Sequence, residues 1–399
     1  MHRLPYWRLS GYYFFYFAFI GAFSPYFGLY LQSLSFSAWD IGLLMSQMQL
    51  MRLFGPYLWG ALADRLACRV PIVRLAGLIS LFGFSAFFFV RGFEAVLLAM
   101  ALLAFFWSAA LPLVETVTFD HLREESGGYG RIRLWGSIGF IVAVIGTGAL
   151  LDNLPLSAVL WVIIASLLGI LLYAIALPEA PLSRQTESHP SLALIVAQPR
   201  VKALFASCFA MSAAHGALYI FYSIYLAEHG YSKFLVGGLW SLGVLAEILV
   251  FYFMPRLMRR FGLRSILLAS FSAAVLRFLL IGWGVESLIV IVVAQLLHGL
   301  TFGAYHAASI GAVNRWFPGR NQTRGQALYS SLSFGAGGLF GGLLSGWMWD
   351  AAGAALTYTV SAAFAMLGLI MVVAWVNEDN PDNSGEPESP CAVDPLDPA

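Results

Sequence analysis

Long apolar runs, separated by short stretches that contain charges, Pro or Gly, form the dominant pattern along this chain of 399 residues. A membrane-spanning helix needs about 20 consecutive apolar residues, and twelve of the runs are about that long. The pattern therefore predicts an all-α polytopic membrane protein with twelve transmembrane helices. They are expected at roughly 8–33, 41–65, 72–90, 95–121, 131–151, 156–177, 202–227, 234–255, 265–284, 287–315, 323–349 and 355–376.

The composition excludes several other classes of protein. Hydrophobic residues make up 60% of the chain and charged residues only 11%, whereas about a quarter of the residues in a soluble domain are charged. Neither of the two lysines, Lys202 and Lys233, belongs to a glycine-rich phosphate loop, which argues against an ATP-driven pump. The three cysteines are scattered, and no cluster has metal-ligand spacing. The sequence thus predicts that the protein binds no metal and no cofactor and that it is not an enzyme.

Two polar stretches divide the chain. Residues 178–200 contain Pro, Ser and charges of both signs, and they predict a cytoplasmic linker between two six-helix bundles, at 1–177 and 201–376. Residues 377–399 contain seven acidic residues, five prolines and no Lys or Arg. Because that composition is typical of disorder, we expect a disordered acidic cytoplasmic tail.

Basic residues are distributed unevenly between the two sides of the predicted membrane domain. If the N-terminus is cytoplasmic, eighteen of the 22 Lys and Arg residues lie in or beside cytoplasmic segments, which is the side that retains them. The apolar run after the basic start has no small-residue cleavage site, so we expect a retained first helix rather than a signal peptide. Both termini are therefore predicted to be cytoplasmic.

The two predicted bundles are related in sequence. Residues 30–46 align without a gap on residues 225–241 at an offset of 195, with six identical positions. The same offset places Arg65 and Arg69 over Arg260 and Arg264 in the equivalent loop. Parallel repeats of this kind are typical of transporters whose substrate site lies near mid-membrane between the repeats. We therefore expect two pseudo-symmetric bundles.

Five charged residues are candidates for intramembrane charges, away from the basic residues at the cytoplasmic ends of the spans: Arg52, Glu115, Arg133, Glu247 and Arg277. A charge at the bilayer centre costs about 2.5–3.5 kcal/mol on insertion scales, so such residues need a partner or a water-filled cavity. Glu115 and Arg133 lie at equal depth on consecutive antiparallel helices and are expected to pair. The pair is either a structural salt bridge or one that opens to exchange partners with a ligand carboxylate.

Arg52 and Glu247 differ by 195 and so occupy equivalent depths in helices two and eight. A guanidinium offers two donors to a carboxylate, which predicts that Arg52 and Arg133 bind an anionic substrate. A carboxyl group in low-dielectric surroundings is readily protonated, so Glu247 is the predicted proton carrier. The alternative is that Glu247 is a fixed partner of Arg277 or Arg52. His298 has either a proton or substrate role or is an ordinary buried hydrogen-bonding residue.

The segment from Gly60 to Arg69, GALADRLACR, resembles the inner-loop signature of the major facilitator superfamily, with Ala67 where that family usually has glycine. The resemblance implies that Gly60, Asp64, Arg65 and Arg69 form a conformational latch. In it, Asp64 faces the positive N-terminus of a helix from the other half. The alternative is a loop that is basic only for topology.

Two further segments, YGRIRLWGS at 129–137 and LWSLGVLAEI at 239–248, resemble the bacterial 3-phenylpropionate permease group, which is akin to lactose permease and nucleoside:proton symporters. The resemblance implies that Glu115 and Arg133 hold substrate. It also implies that Arg277 and His298, which match the ninth-helix Arg and tenth-helix His of lactose permease, take part in proton coupling with Glu247. Thr301 departs from that pattern, because lactose permease has a proton-carrying Glu there.

The major facilitator fold also implies which aromatic residues line the central cavity, since helices one, four, seven and ten surround it. Tyrosines are dense on helices one and seven. We expect four of them to stack against an aromatic substrate: Tyr26, Tyr30, Tyr219 and Tyr222.

Taken with the resemblance, these features predict a secondary active transporter of the bacterial inner membrane. It is expected to take up a small aromatic carboxylate such as 3-phenylpropionate with protons, by alternating access. The alternatives are proton symport of a sugar or nucleoside, or efflux of a drug or metabolite. The expected partners are the substrate, protons and membrane lipid, without nucleic acid, and the expected state is a monomer. A polytopic receptor is disfavoured, because it need not keep paired repeats with the inner-loop motif. An intramembrane enzyme is disfavoured, because the sequence shows no nucleophile or metal constellation.

Overall fold

The computed structural model describes residues 4–122, 126–179, 192–319 and 321–376, and these residues are helical almost throughout and contain no strand. Most of the predicted linker and all of the predicted tail lie outside the described residues. Within the predicted linker, the described part contains a short helix, Leu192–Ala197.

The prediction of a twelve-helix membrane fold is confirmed. Within the described residues, ten helical stretches are long and apolar enough to cross a membrane, and one of them, Lys233–Gly284, has 52 residues. It would be about 78 Å long if straight, more than twice the hydrocarbon thickness of about 30 Å. Gly262 breaks it, with φ 72° and ψ 169°, so it forms two spans. Ala38–Leu66 is the twelfth helix and is more polar.

The twelve helices are numbered in chain order. They are α1 Tyr6–Ser33, α2 Ala38–Leu66, α3 Val70–Phe88, α4 Phe93–Leu122, α5 Ser126–Leu151, α6 Leu156–Ala176, α7 Pro199–Glu228, α8 233–261, α9 263–284, α10 Leu288–Trp316, α11 Asn321–Ala352 and α12 Ala354–Trp375. In the first half α1 packs on α5 and α6, and α3 packs on α4 and α6. The halves meet where α2 packs on α11, α5 on α8 and α1 on α7.

The interface between the halves is tightly closed at the end that carries the loops after the odd-numbered helices, here called the predicted outer end. A Cβ atom on Gly42 of α2 would come within 2.9 Å of the Gly346 Cα of α11. The Tyr26 hydroxyl lies 2.8 Å from the Val144 carbonyl oxygen and 2.9 Å from that of Lys233. Glycine is therefore required where the two halves touch backbone to backbone.

Two carboxylates cap helices across this closed interface. Asp152, which follows α5, accepts hydrogen bonds from the backbone N–H groups of Lys233 and Phe234 at 2.7 and 3.0 Å. Asp350 of α11 accepts them from Ala38 and Trp39 at 3.2 and 2.8 Å. The free N–H groups and the dipole of a helix N-terminus favour a negative charge there. Each half thus caps a helix of the other, which stabilises the closed outer end.

We expect the double variant Asp152→Ala/Asp350→Ala to open the predicted outer end. Each cap contributes about 1 kcal/mol, so losing both shifts the conformational equilibrium roughly 30-fold. Spin labels at Ser35 and Glu286, measured by double electron–electron resonance, should report longer distances. Asp40→Ala is the matched control, because that carboxylate caps only its own helix. An unchanged distance distribution in the double variant would refute the role of these caps.

Candidate substrate and proton site

A carboxylate and an imidazole form a close hydrogen-bonded pair in the second half of the molecule. Glu247 of α8 places Oε1 2.6 Å from Nε2 of His298 of α10. The two helices can approach because α10 has Gly299 here, where a Cβ atom would meet the Ala246 carbonyl oxygen at 2.8 Å. At this distance one proton must lie between the two groups, on either the imidazole or the carboxyl. The pair can therefore gain and lose a proton.

Arg277 of α9 lies beside this pair and is only 1% exposed. Its guanidinium donates hydrogen bonds to the Ala294 carbonyl at 2.9 Å, Thr301 Oγ1 at 3.0 Å and Gln295 Oε1 at 3.1 Å. None of these acceptors is charged, and no carboxylate among the described residues lies within ion-pair distance of Arg277. Thr301, the departure noted in the sequence, thus accepts a hydrogen bond from Arg277, and Glu247 is paired with His298 instead.

In the first half, the expected direct pair between Glu115 and Arg133 is not formed. Glu115 accepts a hydrogen bond from the Tyr129 hydroxyl at 3.2 Å, while the Arg133 guanidinium lies over the ring of Phe17, 3.9 Å from its centroid. The Tyr129 hydroxyl interacts with both charged groups. Tyr129 therefore separates them, which leaves donors of Arg133 available to a ligand.

The charged groups of the two halves face one common region. The Arg52 guanidinium interacts with the Tyr16 hydroxyl in the first half. Across the interface, the hydroxyl of Tyr219 lies within electrostatic range of Arg52 and Glu247, and Glu247 lies within range of Arg133. The sequence-predicted residues Arg52, Arg133, Glu247 and Tyr219 are thus brought together between the halves.

The other predicted tyrosines lie elsewhere. Tyr26 is part of the closed outer interface described above. The Tyr30 hydroxyl accepts a hydrogen bond from Arg91 at 2.7 Å within the first half, and Tyr222 is buried beside Gln295 within the second. Tyr26 and Tyr30 lie closer to the outer end of the molecule than Arg52, Arg133 and Glu247 do, so these two tyrosines do not reach the charged residues. Of the four, Tyr219 lies near Arg52 and Glu247, and Tyr222 lies near Arg277.

Three aromatic residues near the charges were not predicted. Tyr16 and Trp107 stack with centroids 4.3 Å apart and planes 8° apart, beside Arg52. Tyr129 appeared in the sequence only as the first residue of the motif at 129–137. Spacing along one helix could indicate which face these residues occupy, but not that an α4 ring reaches α1.

The predicted latch residues lie at the opposite end of the molecule, the predicted inner end. Asp64 and Arg65 are exposed, and no neighbour lies within 4 Å of a Cβ atom built on Gly60. Arg69 forms an ion pair with Asp120 of α4, in its own half. Within the described residues Asp64 forms neither an ion pair nor a hydrogen bond to a helix N-terminus, so the expected contact with the other half is absent from this conformation. The two halves are thus in close contact at the predicted outer end, whereas the latch residues at the predicted inner end are exposed.

The chain is similar to known membrane transporters in sequence and in fold. The family model described as "MFS_1 like family" matches residues 6–360. The chain is 30% identical over 335 residues to a protein of Escherichia coli (strain K12) described as a probable 3-phenylpropionic acid transporter, which covers 82% of this chain and 87% of that protein. It is 26% identical over 368 residues to the maltose permease of Geobacillus stearothermophilus, covering 90% and 92%. The crystal structure of the nucleoside transporter NupG superposes with a TM-score of 0.81 at 18% identity, covering 94% and 99%.

Proposed function

Because this chain belongs to the MFS_1-like family of multi-pass membrane transporters, which are not enzymes, we propose that it takes up a small aromatic carboxylate together with a proton. The observation that carries this proposal is the excess of arginine over carboxylate among the intramembrane charges of the candidate site. Arg52, Arg133 and Arg277 oppose Glu115 and Glu247, which leaves one positive charge when the histidines are neutral. A partly dehydrated charge is costly unless it is paired, so this region favours an anion.

Protonation of the Glu247–His298 pair increases the positive charge of the region by one. A monocarboxylate then returns the charge to its value in the empty protein. Proton binding therefore strengthens anion binding, and by linkage anion binding strengthens proton binding to the same extent. The site therefore carries the same net charge when it is empty and when both proton and carboxylate are bound. This favours the alternating-access movement of the two halves in these two states. A neutral sugar or nucleoside would leave the added charge unbalanced.

The same proposal assigns the protein to a bacterial inner membrane, as a monomer with both termini cytoplasmic. The excess of basic residues at the predicted inner end supports this orientation. The conformation closed at the outer end is then the inward-facing state of alternating access. The relative described as a 3-phenylpropionic acid transporter supports an aromatic acid as the cargo.

A ligand panel tests the substrate class. We expect 3-phenylpropionate to raise the melting temperature of the purified protein and to be taken up by proteoliposomes. Its uncharged amide, which matches it in shape, should do neither, because it lacks the carboxylate that neutralises the arginines. Uptake of uridine or maltose without uptake of any carboxylate would contradict the proposal and favour the nucleoside or sugar alternative. Transport only in the direction from the cytoplasmic face of the protein to its outer face would favour efflux.

A further inference from the structure

Two short π-helical segments face the charged region. They are Gly299–Ala304 within α10 and Ser331–Gly337 within α11. Single-turn π segments within α-helices occur frequently at functional sites. The segment in α11 packs closely on α2, since a Cβ atom on Gly335 would lie 3.0 Å from the Leu53 Cα, next to Arg52. Both distortions therefore occur beside groups assigned above to proton or carboxylate binding.

Each π segment contributes one phenylalanine to the same cluster. Phe302 and Phe334 are partly exposed, with ring centroids 6.3 Å apart. The ring of His306, also partly exposed, lies 5.7 Å from Phe302 and 5.6 Å from Phe334. Its Nδ1 atom is 2.8 Å from the Tyr329 hydroxyl, which fixes its orientation. Phe302, His306 and Phe334 are here called the aromatic surface.

The aromatic surface connects the two charged sites. Phe302 stacks on His298, with centroids 5.6 Å apart and planes 21° apart, and His298 is the partner of Glu247. On the other side, His306 lies within electrostatic range of Arg133 of the first half. A molecule against this surface would thus lie between the proton-binding pair and an arginine with free donors.

We propose that the aromatic surface binds the ring of the transported molecule and determines the preference for aromatic over aliphatic acids. This inference rests on the proposed function and adds the residues that select the cargo. Offset or edge-to-face ring pairs are favourable beyond the area that they bury. The aromatic residues of the first half are less suited to this role, because Tyr16 and Trp107 are already stacked on each other and are only 3% and 6% exposed. A ring on Phe302 also excludes water from His298, which couples cargo binding to the proton pair.

The variants Phe302→Leu and Phe334→Leu test the proposal, since leucine keeps an apolar side chain and removes the ring. We expect each variant to raise the KM for 3-phenylpropionate by about three- to tenfold. The KM for hexanoate, an acid without a ring, should change less than about twofold. Phe340→Leu is the matched control, because that side chain lies further along the same helix and packs on Phe209 and Phe364. Melting temperatures verify that all variants fold.

The ratio of the two KM values decides the outcome. Equal changes in KM for the aromatic and the aliphatic acid would overturn the proposed role of the aromatic surface, even if carboxylate transport itself is intact. If the parent protein takes up neither acid, the proposed function fails instead. The surface is then tested by thermal stabilisation: Phe302→Leu must weaken stabilisation by uridine and not by maltose, and any other result overturns it.

Discussion

Replacement of Glu247 by glutamine is expected to reduce the accumulation ratio of substrate under an imposed pH gradient to about one. The amide can still hydrogen-bond with His298, whose Nε2 atom lies 2.6 Å from the Glu247 carboxylate, but it cannot bind or release a proton. Exchange of external for internal substrate needs no net proton movement, so it should stay within about threefold of the parent rate. Proteoliposomes assayed in both modes measure the two quantities on the same preparation.

The matched control for this variant is Glu94→Gln, which removes an exposed carboxylate at the start of α4. It should leave accumulation and exchange unchanged. Undiminished substrate-coupled proton flux in Glu247→Gln would remove Glu247 from the role of proton carrier. Loss of exchange as well as accumulation would instead indicate a structural role for the Glu247–His298 pair.

The second large effect is expected at the arginines of the first half. Truncating one partner of a buried, hydrogen-bonded charge pair costs about 2–5 kcal/mol, so Arg52→Gln and Arg133→Gln should each weaken 3-phenylpropionate binding by at least about 30-fold. The Lys variants keep the charge but lose the planar pair of donors, so they should fall between the parent and the Gln variants. Thermal stabilisation across a ligand titration measures the affinities.

Arg131→Gln provides the control for these variants, because Arg131 lies two residues from Arg133 on the same helix but is exposed. It should bind the substrate as the parent does. The carboxylate-binding hypothesis is lost if both Arg52→Gln and Arg133→Gln bind and take up 3-phenylpropionate normally.

The sequence predicted the fold well because each span must be long and apolar on its own, independently of its neighbours. The charged stretch around 256–264 already predicted two separate helices there, and the structure places their boundary at Gly262. The intramembrane charges were also visible, since their cost in lipid makes each one conspicuous. Their partners were not, because partner choice depends on how the helices rotate and approach.

Three features of the site illustrate this limit. Glu247 pairs with His298 because Gly299 lets α10 approach α8, a contact between residues far apart in sequence. The π segments of α10 and α11 alter the helical period locally, so the faces predicted by a regular helix do not apply to Phe302 and Phe334. The caps across the outer interface join helix ends from different halves, and no local pattern predicts such a pairing.

We propose that one carboxylate crosses the membrane together with a proton bound at the Glu247–His298 pair. Adding 3-phenylpropionate to weakly buffered proteoliposomes, with no initial pH gradient, tests it most directly. After subtraction of the signal from protein-free liposomes, which corrects for passive entry of the neutral acid, we predict an external alkalinisation that accompanies uptake and is absent in Glu247→Gln. Substrate uptake without a pH change, or an equal pH change in the variant, would contradict the account.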